Sequence, residues 1–416
     1  MTVMDDVQKI REIVNPVFST AKSCTQLIAA SGDEDAQKLI EALGFPPFGA
    51  KMAERPVSEE MHEQVKRMFP AYSILIESRF RTVNQLIDSR KDCQIIDLPC
   101  GYTPRGIKMS NQGRIYFGFD LPAVIDEIAP AAESIIGSGS TASYRAVDAT
   151  NYNSLEAPFT DENKNFLITT EGLLMYFSQS ELEEVFGNIH HLLQKHGGSW
   201  VTTDRAYAFR DREIAHAALN YDEKLTAIYE AVTGKAASTA AAVKFGNNVF
   251  FDADDDKVKA FVEKMGFELK EIPMSDYLPE KLGSVSGSAD AAVREVFKNM
   301  YFWEMTVKTA APEQRTNEKA CSVSTSKQGS TLQVYISGRL DTLTAPELLS
   351  KFNEAEAPVE AIELHVDDMS YISSAGLRIL LIMYKSLEDK SRFKMFGVSE
   401  NVREIIETTG FDSVFI

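Results

Sequence analysis

The sequence predicts an α/β protein in two parts, a large and mostly parallel sheet covered by helices and a smaller α/β domain after it. Its 416 residues exceed what one hydrophobic core usually serves. Short apolar runs alternate with helical stretches after residue 92, as in parallel sheets with helices on both faces. A polar, proline-containing stretch separates them from a second, shorter alternation. We therefore assign 1–308 to the first domain, 309–318 to a linker and 319–416 to the second domain.

The first domain opens with a helical part, residues 1–92, in which apolar residues recur at helical spacing between Val65 and Ile76. Prolines divide this part into several helices. Six apolar runs then have the length of buried strands. They are Cys93–Leu98, Arg114–Phe119, Asn165–Thr170, Ser199–Thr203, Phe267–Ile272 and Tyr301–Lys308. The amphipathic stretch Gln179–Gln194 predicts a helix between the third and fourth runs.

Composition narrows the classes of function. Hydrophobic residues make up 44% of the chain and charged residues 25%, which is typical of folded globular protein. A net charge of −18 repels phosphate backbones and anionic lipid, so we expect neither nucleic acid nor membrane as a partner. No apolar run approaches the roughly 20 residues of a membrane helix, and a secretory signal pattern is absent. Four cysteines without a CxxC pair and six histidines without an HExxH motif predict a cytoplasmic protein without a metal site.

Glycine and acidic residues follow the predicted strands of the first domain. Gly101 lies in the loop after the first strand, and Asp120 ends the second strand about 20 residues later, where a carboxylate can bind ribose hydroxyls. Asp148 and Glu171 end two further apolar segments. Helix capping would explain any one of these acids alone. Because ligands of open α/β sheets bind at the carboxyl ends of the strands, the whole series predicts a nucleotide-type cofactor site.

Five segments of this domain carry a family resemblance. They are IIDLPCGYTPR, FGFDLPAVIDE, YRAVDAT, NFLITTEGLLMYFSQSELEEVF and GGSWVTTD. Residues 1–308 resemble the leucine carboxyl methyltransferase family of S-adenosylmethionine-dependent O-methyltransferases. The resemblance implies a Rossmann-like, seven-stranded class I methyltransferase domain that binds S-adenosyl-L-methionine. Two places depart from the family pattern: Pro99 stands where the first glycine of the loop is expected, and Thr103 and Pro104 replace an acid and a threonine before Arg105.

The resemblance also assigns cofactor contacts to matching positions of this chain. In chain order they are Gly101 at the methionine part, Arg105 at the end of the loop motif, Asp120 and Leu121 at the ribose, Asp148 and Ala149 at the adenine, and Glu171 at the amino-acid part. Family members hold the cofactor carboxylate with an arginine upstream of the first strand. Arg79 fits this role best, and Arg81 is the alternative.

Methyl transfer is an in-line displacement, in which the protein mainly aligns donor and acceptor. The acceptor, on a small molecule or a protein, is a carboxylate, which needs no general base, or a hydroxyl, which does. Candidate residues on its side follow the fourth and fifth strands: Tyr176, Asp204, Arg205, Tyr207 and Arg210. Arg205 or Arg210 would pair with a carboxylate, unless both are solvated helix residues.

The second domain carries a resemblance of its own. The segments SGRLDTLTAPEL, DDMSYISSAGLRILL and FGVSENVREIIETTGF resemble a STAS domain of the anti-sigma-factor-antagonist type. The resemblance implies a small sheet with helices on one side, phosphorylation at Ser374, and a serine kinase or an anti-sigma-like protein as the partner. Position alone is also consistent with Ser373 and Ser374 as helix N-caps.

Three hypotheses follow. The first is a cytoplasmic S-adenosylmethionine-dependent O-methyltransferase coupled to a phosphorylation-regulated STAS domain. The second is a signalling or scaffold protein whose methyltransferase-like domain binds the cofactor without turnover. The third, a nicotinamide-dependent oxidoreductase, is disfavoured because the chain lacks a GxGxxG motif and contains the EGLLMY segment.

Overall fold

The computed structural model describes residues 18–48, 59–160, 163–240, 248–308, 322–341, 344–355, 358–408 and 411–415. They form two compact units, an N-terminal unit within 18–308 and a C-terminal unit within 322–415. The linker expected at 309–318 lies outside the described residues. Within the described residues, no helix combines the length and the apolar character needed to cross a membrane.

The N-terminal unit contains a seven-stranded sheet. Its strands are β1 Gln94–Asp97, β2 Tyr116–Asp120, β3 Ala142–Ala146, β4 Phe166–Thr170, β5 Gly198–Thr202, β6 Phe267–Pro273 and β7 Tyr301–Val307. Their order is β3-β2-β1-β4-β5-β7-β6. The first five are mutually parallel, and β7 pairs antiparallel with both β5 and β6. The predicted seven-stranded α/β fold is therefore confirmed, with one antiparallel strand near the sheet edge.

Eleven described α-helices belong to this unit. They are α1 Phe18–Ala30, α2 Glu34–Ala42, α3 Glu59–Ser89, α4 Arg105–Asn111, α5 Pro122–Ile136, α6 Tyr152–Glu156, α7 Gln179–His196, α8 Asp204–Ala218, α9 Glu223–Ala240, α10 Asp255–Lys264 and α11 Gly287–Phe297. The amphipathic helix predicted after the third strand is present as α7, two residues longer at its C-terminal end.

Neighbouring residues of each central strand enter different hydrophobic cores. Ile95 and Leu167 pack into a core with helices α3, α5, α8 and α11, whereas Ile96 and Ile168 pack into a core with α7 and α10. This alternation follows from the two-residue period of a strand. Both faces of the sheet are therefore covered, and ligand access is left to its edges and strand ends.

Most strand ends lie one or two residues away from the ends of the predicted runs. The strand β3 is not among the six predicted runs, and it ends at Ala146, two residues before Asp148, which was expected to end a strand. Asp148 therefore lies in the loop after the strand. In this loop, Asp148 Oδ1 accepts hydrogen bonds from the Thr150 amide at 2.8 Å and the Thr150 hydroxyl at 2.7 Å.

The C-terminal unit contains a four-stranded sheet in the order β11-β10-β9-β8. Its strands are β8 Ser322–Gln328, β9 Thr331–Leu340, β10 Ala361–Ile372 and β11 Phe393–Phe396, and its described helices are α12 Ala345–Asn353, α13 Ser374–Ser386, α14 Glu400–Thr408 and α15 Asp412–Phe415. Strands β8 and β9 form a hairpin, and Gly329 takes a left-handed φ of 64° in its turn. The pairing of β10 with β9 is parallel and contains two irregularities.

Candidate functional site

The candidate site of the N-terminal unit lies at the carboxyl ends of β1, β2, β4 and β5. Asp97 and Asp120 are the last residues of β1 and β2, and Glu171 directly follows β4. Asp204 begins α8, two residues after β5. These strands are parallel neighbours, so residues far apart in sequence meet along one edge of the sheet.

The glycine loop is tied directly to Asp120. The Gly101 amide donates a hydrogen bond to Asp120 Oδ2 at 2.8 Å, and the Leu121 amide donates to Oδ1 at 2.7 Å. Gly101 has a left-handed φ of 52°, which favours glycine over other residues. Burial raises the pKa of Asp120 to about 6, although both amide bonds act in the opposite direction. The structure thus brings the expected methionine-side glycine and the expected ribose-side acid together.

Arg105 does not line the site as a ligand contact would. Its side chain is only 1% exposed. Nη1 donates to both carboxylate oxygens of Asp97 at 2.8 Å, and Nε donates to Asn84 Oδ1 at 2.8 Å. Nη2 lies 2.6 Å from Glu171 Oε1. Arg105 is therefore enclosed where a direct cofactor contact was expected. It contacts Glu171 from the interior of the unit.

Arg79 and Glu171 form the outer charged pair of the site. Arg79 Nε lies 3.8 Å from Glu171 Oε2, and the two side chains are 20% and 11% exposed. Burial raises the pKa of Glu171, while Arg105 and Arg79 act against this rise. The alternative arginine, Arg81, donates instead to Glu77 Oε1 at 2.7 Å. An exposed cation beside an exposed anion is complementary to a zwitterion, which carries a carboxylate and an ammonium group.

The expected adenine-side residues lie in the loop after β3. Asp148 forms the turn described above, and the Ala149 carbonyl accepts a hydrogen bond from Asn188 Nδ2 at 2.9 Å. Both residues are buried. Since Asn188 belongs to α7, the loop is held against the helix that follows β4.

The acceptor-side candidates separate into two groups. Arg205 is buried, pairs with Asp255 and donates from Nη1 to the Phe250 carbonyl at 2.7 Å. Arg210 pairs with Glu213 at 2.6 Å, and both side chains are more than 40% exposed. Neither arginine is directed to Glu171 in these contacts, so they do not build the expected carboxylate pocket.

The two tyrosines lie nearer to the outer charged pair. The Arg79 guanidinium lies 5.6 Å from the centre of the Tyr207 ring, and the Tyr207 hydroxyl is 2.9 Å from Ser78 Oγ. Burial raises the pKa of both Tyr176 and Tyr207. Asp204 has a different role, because it accepts hydrogen bonds from the amides of Gly172, Leu173 and Leu174 and thereby fixes the turn after Glu171.

Helix α1 also reaches the site, which the sequence reasoning did not predict. Thr25 Oγ1 donates to the Tyr102 carbonyl at 2.6 Å, and Lys22 pairs with Glu127 at 2.8 Å. The charges of Arg79 and Glu171 influence the thiol of Cys24, whose pKa burial raises. These residues precede the loop by about 75 positions without a local motif, so no sequence signal points to them.

The candidate site of the C-terminal unit lies where β9 and β10 end. The Ser373 amide donates to the Leu340 carbonyl at 3.0 Å, which joins the SSAGL segment to the SGRLD segment. Arg339 Nε is 3.8 Å from the buried carboxylate of Asp341, and its guanidinium lies 3.9 Å from the centre of the Tyr371 ring. Ser373 Oγ accepts the Gly376 amide at 3.3 Å, so Ser373 is the N-cap of α13. Ser374 is the first residue of α13, and its side chain lies outside the described residues.

Acidic, histidine and cysteine side chains do not gather into a metal site anywhere in the part of the chain that the structure describes. The charged residues at the strand-end edge of the N-terminal unit, in contrast, are complementary to S-adenosylmethionine. Arg79 and Glu171 are opposite in sign to the carboxylate and ammonium of an amino acid, and Asp120 is a carboxylate at the end of β2, where one would suit ribose hydroxyls.

Comparison with known proteins identifies the C-terminal unit. Residues 322–416 match the family model of the STAS domain. An anti-sigma factor antagonist from Mycobacterium paratuberculosis is 26% identical, with 23% of this chain and 83% of that chain covered at a TM-score of 0.21. No curated protein matches the chain by sequence.

Two solved methyltransferase structures resemble a larger part of the chain. One is magnesium protoporphyrin IX methyltransferase from Synechocystis PCC 6803 with bound SAH, at 9% identity, a TM-score of 0.34 and coverage of 60% of this chain and 95% of that one. The other is human N-acetylserotonin methyltransferase in complex with SAM, at 12% identity, a TM-score of 0.32 and coverage of 69% and 67%.

Proposed function

We propose that the protein is an S-adenosylmethionine-dependent O-methyltransferase of the leucine carboxyl methyltransferase type, whose activity is coupled to its STAS domain. The observation that carries this proposal is the outer pair of Arg79 and Glu171, 3.8 Å apart beside the glycine loop. One group suits the carboxylate of an amino acid and the other suits its ammonium. With Asp120 at the end of β2, the same edge of the sheet offers partners for both ends of a nucleoside-linked amino acid.

The residues of the chain would bind and align the reactants. Arg79 and Glu171 would hold the amino-acid part, Asp120 the ribose, and the Asp148–Ala149 loop the adenine. When bound, S-adenosylmethionine supplies an electrophilic methyl group on a sulfonium that leaves as a neutral thioether. Helix α1 covers the loop side of this site, since the Cβ of Ala21 is 3.9 Å from where a Cβ on Gly101 would lie. Such a cover excludes water and keeps the reacting groups aligned.

The acceptor that suits these residues best is a carboxylate. Tyr176 and Tyr207 keep their protons at neutral pH because burial raises their pKa, so they donate hydrogen bonds and do not act as bases. Asp204 is engaged by three backbone amides. A carboxylate is already ionised and needs no base, whereas a hydroxyl would have to lose a proton in the transition state.

Calorimetry with the full-length protein tests the cofactor. We expect S-adenosylmethionine and S-adenosylhomocysteine to bind, and NAD not to bind. Asp120→Ala and Glu171→Ala should each weaken binding, while Glu213→Ala, which changes only the exposed partner of Arg210, should not. Absence of S-adenosylmethionine binding at millimolar concentration would refute the proposal.

A second function is favoured by the loop itself. Pro99 has no amide proton where the related family has a glycine, and Asp120 already accepts two backbone amides. A signalling protein that binds the cofactor without turnover is consistent with this loop. Transfer of radiolabelled methyl groups into a cell extract separates the two functions. Incorporation by wild type but not by Glu171→Ala supports the enzyme, and cofactor binding without any incorporation supports the signalling protein.

For the STAS domain we propose regulation in the cytoplasm through Ser374, by a serine kinase or an anti-sigma-like partner. Phosphate at the start of a helix lies near unpaired amides and the positive end of the helix dipole. The added charge would release a partner that binds the unmodified surface. Incubation with extract and ATP followed by phosphosite mapping tests this assignment, and phosphate that persists in Ser374→Ala would contradict it.

A further inference from the structure

Four charged side chains of the N-terminal unit form a line from its core to the strand-end edge. Asp97 and Arg105 are enclosed, whereas Glu171 and Arg79 are partly exposed. The charges alternate in sign along the line, with N···O separations of 2.8, 2.6 and 3.8 Å. Only the outer two groups can touch a ligand, and the inner two can act only through them.

The inner end of this line is held in place from several directions. Arg105 is bonded to Asp97 of β1 and Asn84 of α3, and the Phe80 ring lies 5.4 Å from its guanidinium. Asp97 in turn accepts the Tyr116 hydroxyl at 2.9 Å and the Thr169 hydroxyl at 3.1 Å. Because these partners fix the guanidinium, its Nη2 sets the position of Glu171 Oε1.

The outer pair behaves differently. Arg79 and Glu171 approach to 3.8 Å through Nε and Oε2, a longer separation than those of the two inner contacts. Glu171 instead has its shortest contact, 2.6 Å, with Arg105. Loss of that contact would leave Arg79 as the nearest described cation to the Glu171 carboxylate. The two outer groups would then neutralise each other and offer less to a ligand.

We propose that Arg105 is a positioning residue that holds Glu171 away from Arg79, so that the outer pair binds both charges of an amino-acid ligand. This inference rests on the proposed function, which supplies S-adenosylmethionine as the ligand with an amino-acid part. Arg105 itself makes no contact with the ligand.

Three nucleosides separate a positioning role from general support of the fold. S-adenosylhomocysteine carries both the ammonium and the carboxylate, decarboxylated S-adenosylmethionine carries only the ammonium, and 5′-methylthioadenosine carries neither. Arg105→Lys keeps a positive charge for Asp97, but one ammonium group cannot also hold Glu171. We expect this variant of the full-length protein to bind the first two ligands about 10- to 100-fold more weakly. Binding of 5′-methylthioadenosine should stay within about twofold of wild type.

Two comparisons keep this test specific. Arg114→Lys is the matched control, because Arg114 is a partly buried arginine of the same unit that donates to the carbonyls of Ile87 and Arg90 away from the site. Arg114→Lys should leave the ratio of the affinities for S-adenosylhomocysteine and 5′-methylthioadenosine unchanged. The double variant Arg105→Lys with Glu171→Gln should bind S-adenosylhomocysteine no more weakly than Glu171→Gln alone, since both changes remove the same interaction.

If Arg105→Lys does not fold, as judged by tryptophan fluorescence, Asn84→Ala replaces it. That variant removes one anchor of the guanidinium and leaves all four charges, so a smaller loss of about threefold should appear for the same two ligands. Equal losses of affinity for all three ligands, or unchanged binding of S-adenosylhomocysteine, would overturn this inference and leave the proposed function standing. Failure of the wild-type protein to bind any of the three would instead refute the proposed function.

Discussion

The two units of the protein both place a buried aspartate beside an arginine where parallel strands end. In the N-terminal unit, Arg105 donates to both oxygens of Asp97 at 2.8 Å. In the C-terminal unit, Arg339 Nε is 3.8 Å from Asp341, and its guanidinium stacks on Tyr371. The first arginine donates directly to Asp97 and Asn84, whereas the second approaches its aspartate at a longer distance and contacts an aromatic ring.

The two buried pairs, Asp97–Arg105 and Arg339–Asp341, differ in the groups that lie next to them. The N-terminal pair continues outward to Glu171 and Arg79, two partly exposed charges that can bind a ligand. The C-terminal pair adjoins the start of α13, where Ser373 caps the helix. A similar buried pair thus adjoins partly exposed charges in one unit and a helix N-cap in the other, and substitutions should separate these two settings.

Replacement of Asp97 should have the largest effect. Asp97→Ala removes the carboxylate that accepts from Arg105 Nη1 and leaves Glu171 as the remaining described acid in contact with this guanidinium. Loss of one partner from a buried ion pair costs about 3–5 kcal/mol. Urea unfolding followed by tryptophan fluorescence measures this loss, because both tryptophans, Trp200 and Trp303, belong to the N-terminal unit.

Asp389→Ala serves as the control for this measurement. Asp389 is an exposed residue of the C-terminal unit, so it should leave the fluorescence transition unchanged. An Asp97→Ala protein that unfolds at the wild-type urea concentration would show that the Asp97–Arg105 pair does not stabilise the unit.

Asp341→Ala should have a smaller effect on its own unit. The Asp341–Arg339 contact is longer, but Asp341 Oδ1 also accepts the Thr344 amide at 3.2 Å beside the start of α12. We expect a loss of about 1–3 kcal/mol, typical of a buried polar group that loses its partner. Hydrogen exchange of peptides from 322–415 in the full-length protein measures it. A loss as large as that of Asp97→Ala would contradict the contrast between the two pairs.

Much of the fold could be predicted from the sequence, because its signals are local. Apolar runs of strand length located six of the seven described N-terminal strands to within one or two residues, since both faces of this sheet are buried. The exception is β3, in which only Tyr144 is buried. The order of strand-end residues also predicted that Gly101 and Asp120 would meet, because parallel strands end at one edge.

The remaining site contacts depend on tertiary partners that leave no local pattern. Arg205 is directed by Asp255, fifty residues later, and not by an acceptor. Arg105 matched a loop motif, yet the burial that makes it an inner residue arises from Asn84 and Glu171 on two other elements. Helix α1 joins the site through Thr25 and Lys22, whose partners are a backbone carbonyl and a distant glutamate.

Asp120 should give the N-terminal site a pH dependence of its own. Its pKa in the folded protein, about 6, lies above the ordinary value of 3.8, so folding favours the protonated carboxyl. The contribution of this group to stability is full below about pH 3.8 and is lost as the pH rises through about 6. In the proposed function Asp120 binds the ribose in its ionised form, so the affinity for S-adenosylhomocysteine should rise about tenfold between pH 5 and pH 7.

Calorimetry across this pH range checks the prediction, with Asp120→Asn as the comparison. The variant should bind more weakly at pH 7 and should lack the rise, because its amide does not titrate. A rise that persists in Asp120→Asn would assign the pH dependence to another group and would remove Asp120 from the ribose site.

Loss of the cap on α13 should have the smallest effect. Ser373→Ala removes the side-chain acceptor of the Gly376 amide, and the loss of an N-cap costs about 1 kcal/mol. Amide exchange in the first turn of α13 should become about fivefold faster. Ser373→Asp should restore wild-type exchange, because a carboxylate also caps a helix and interacts favourably with its dipole.

Ser178 of the N-terminal unit provides the matched comparison for this cap. Its hydroxyl accepts the Glu181 amide, and Glu181 accepts the Ser178 amide in return, so α7 begins with a reciprocal capping box. Ser178→Ala should therefore leave more of the helix start intact than Ser373→Ala, since the bond from the Ser178 amide to Glu181 survives. If both variants speed exchange equally, the hydroxyl alone determines each cap, and the start of α13 is no more easily opened than that of α7. A larger effect at Ser373 would mark the start of α13 as the more readily opened helix terminus, as a site of reversible modification requires.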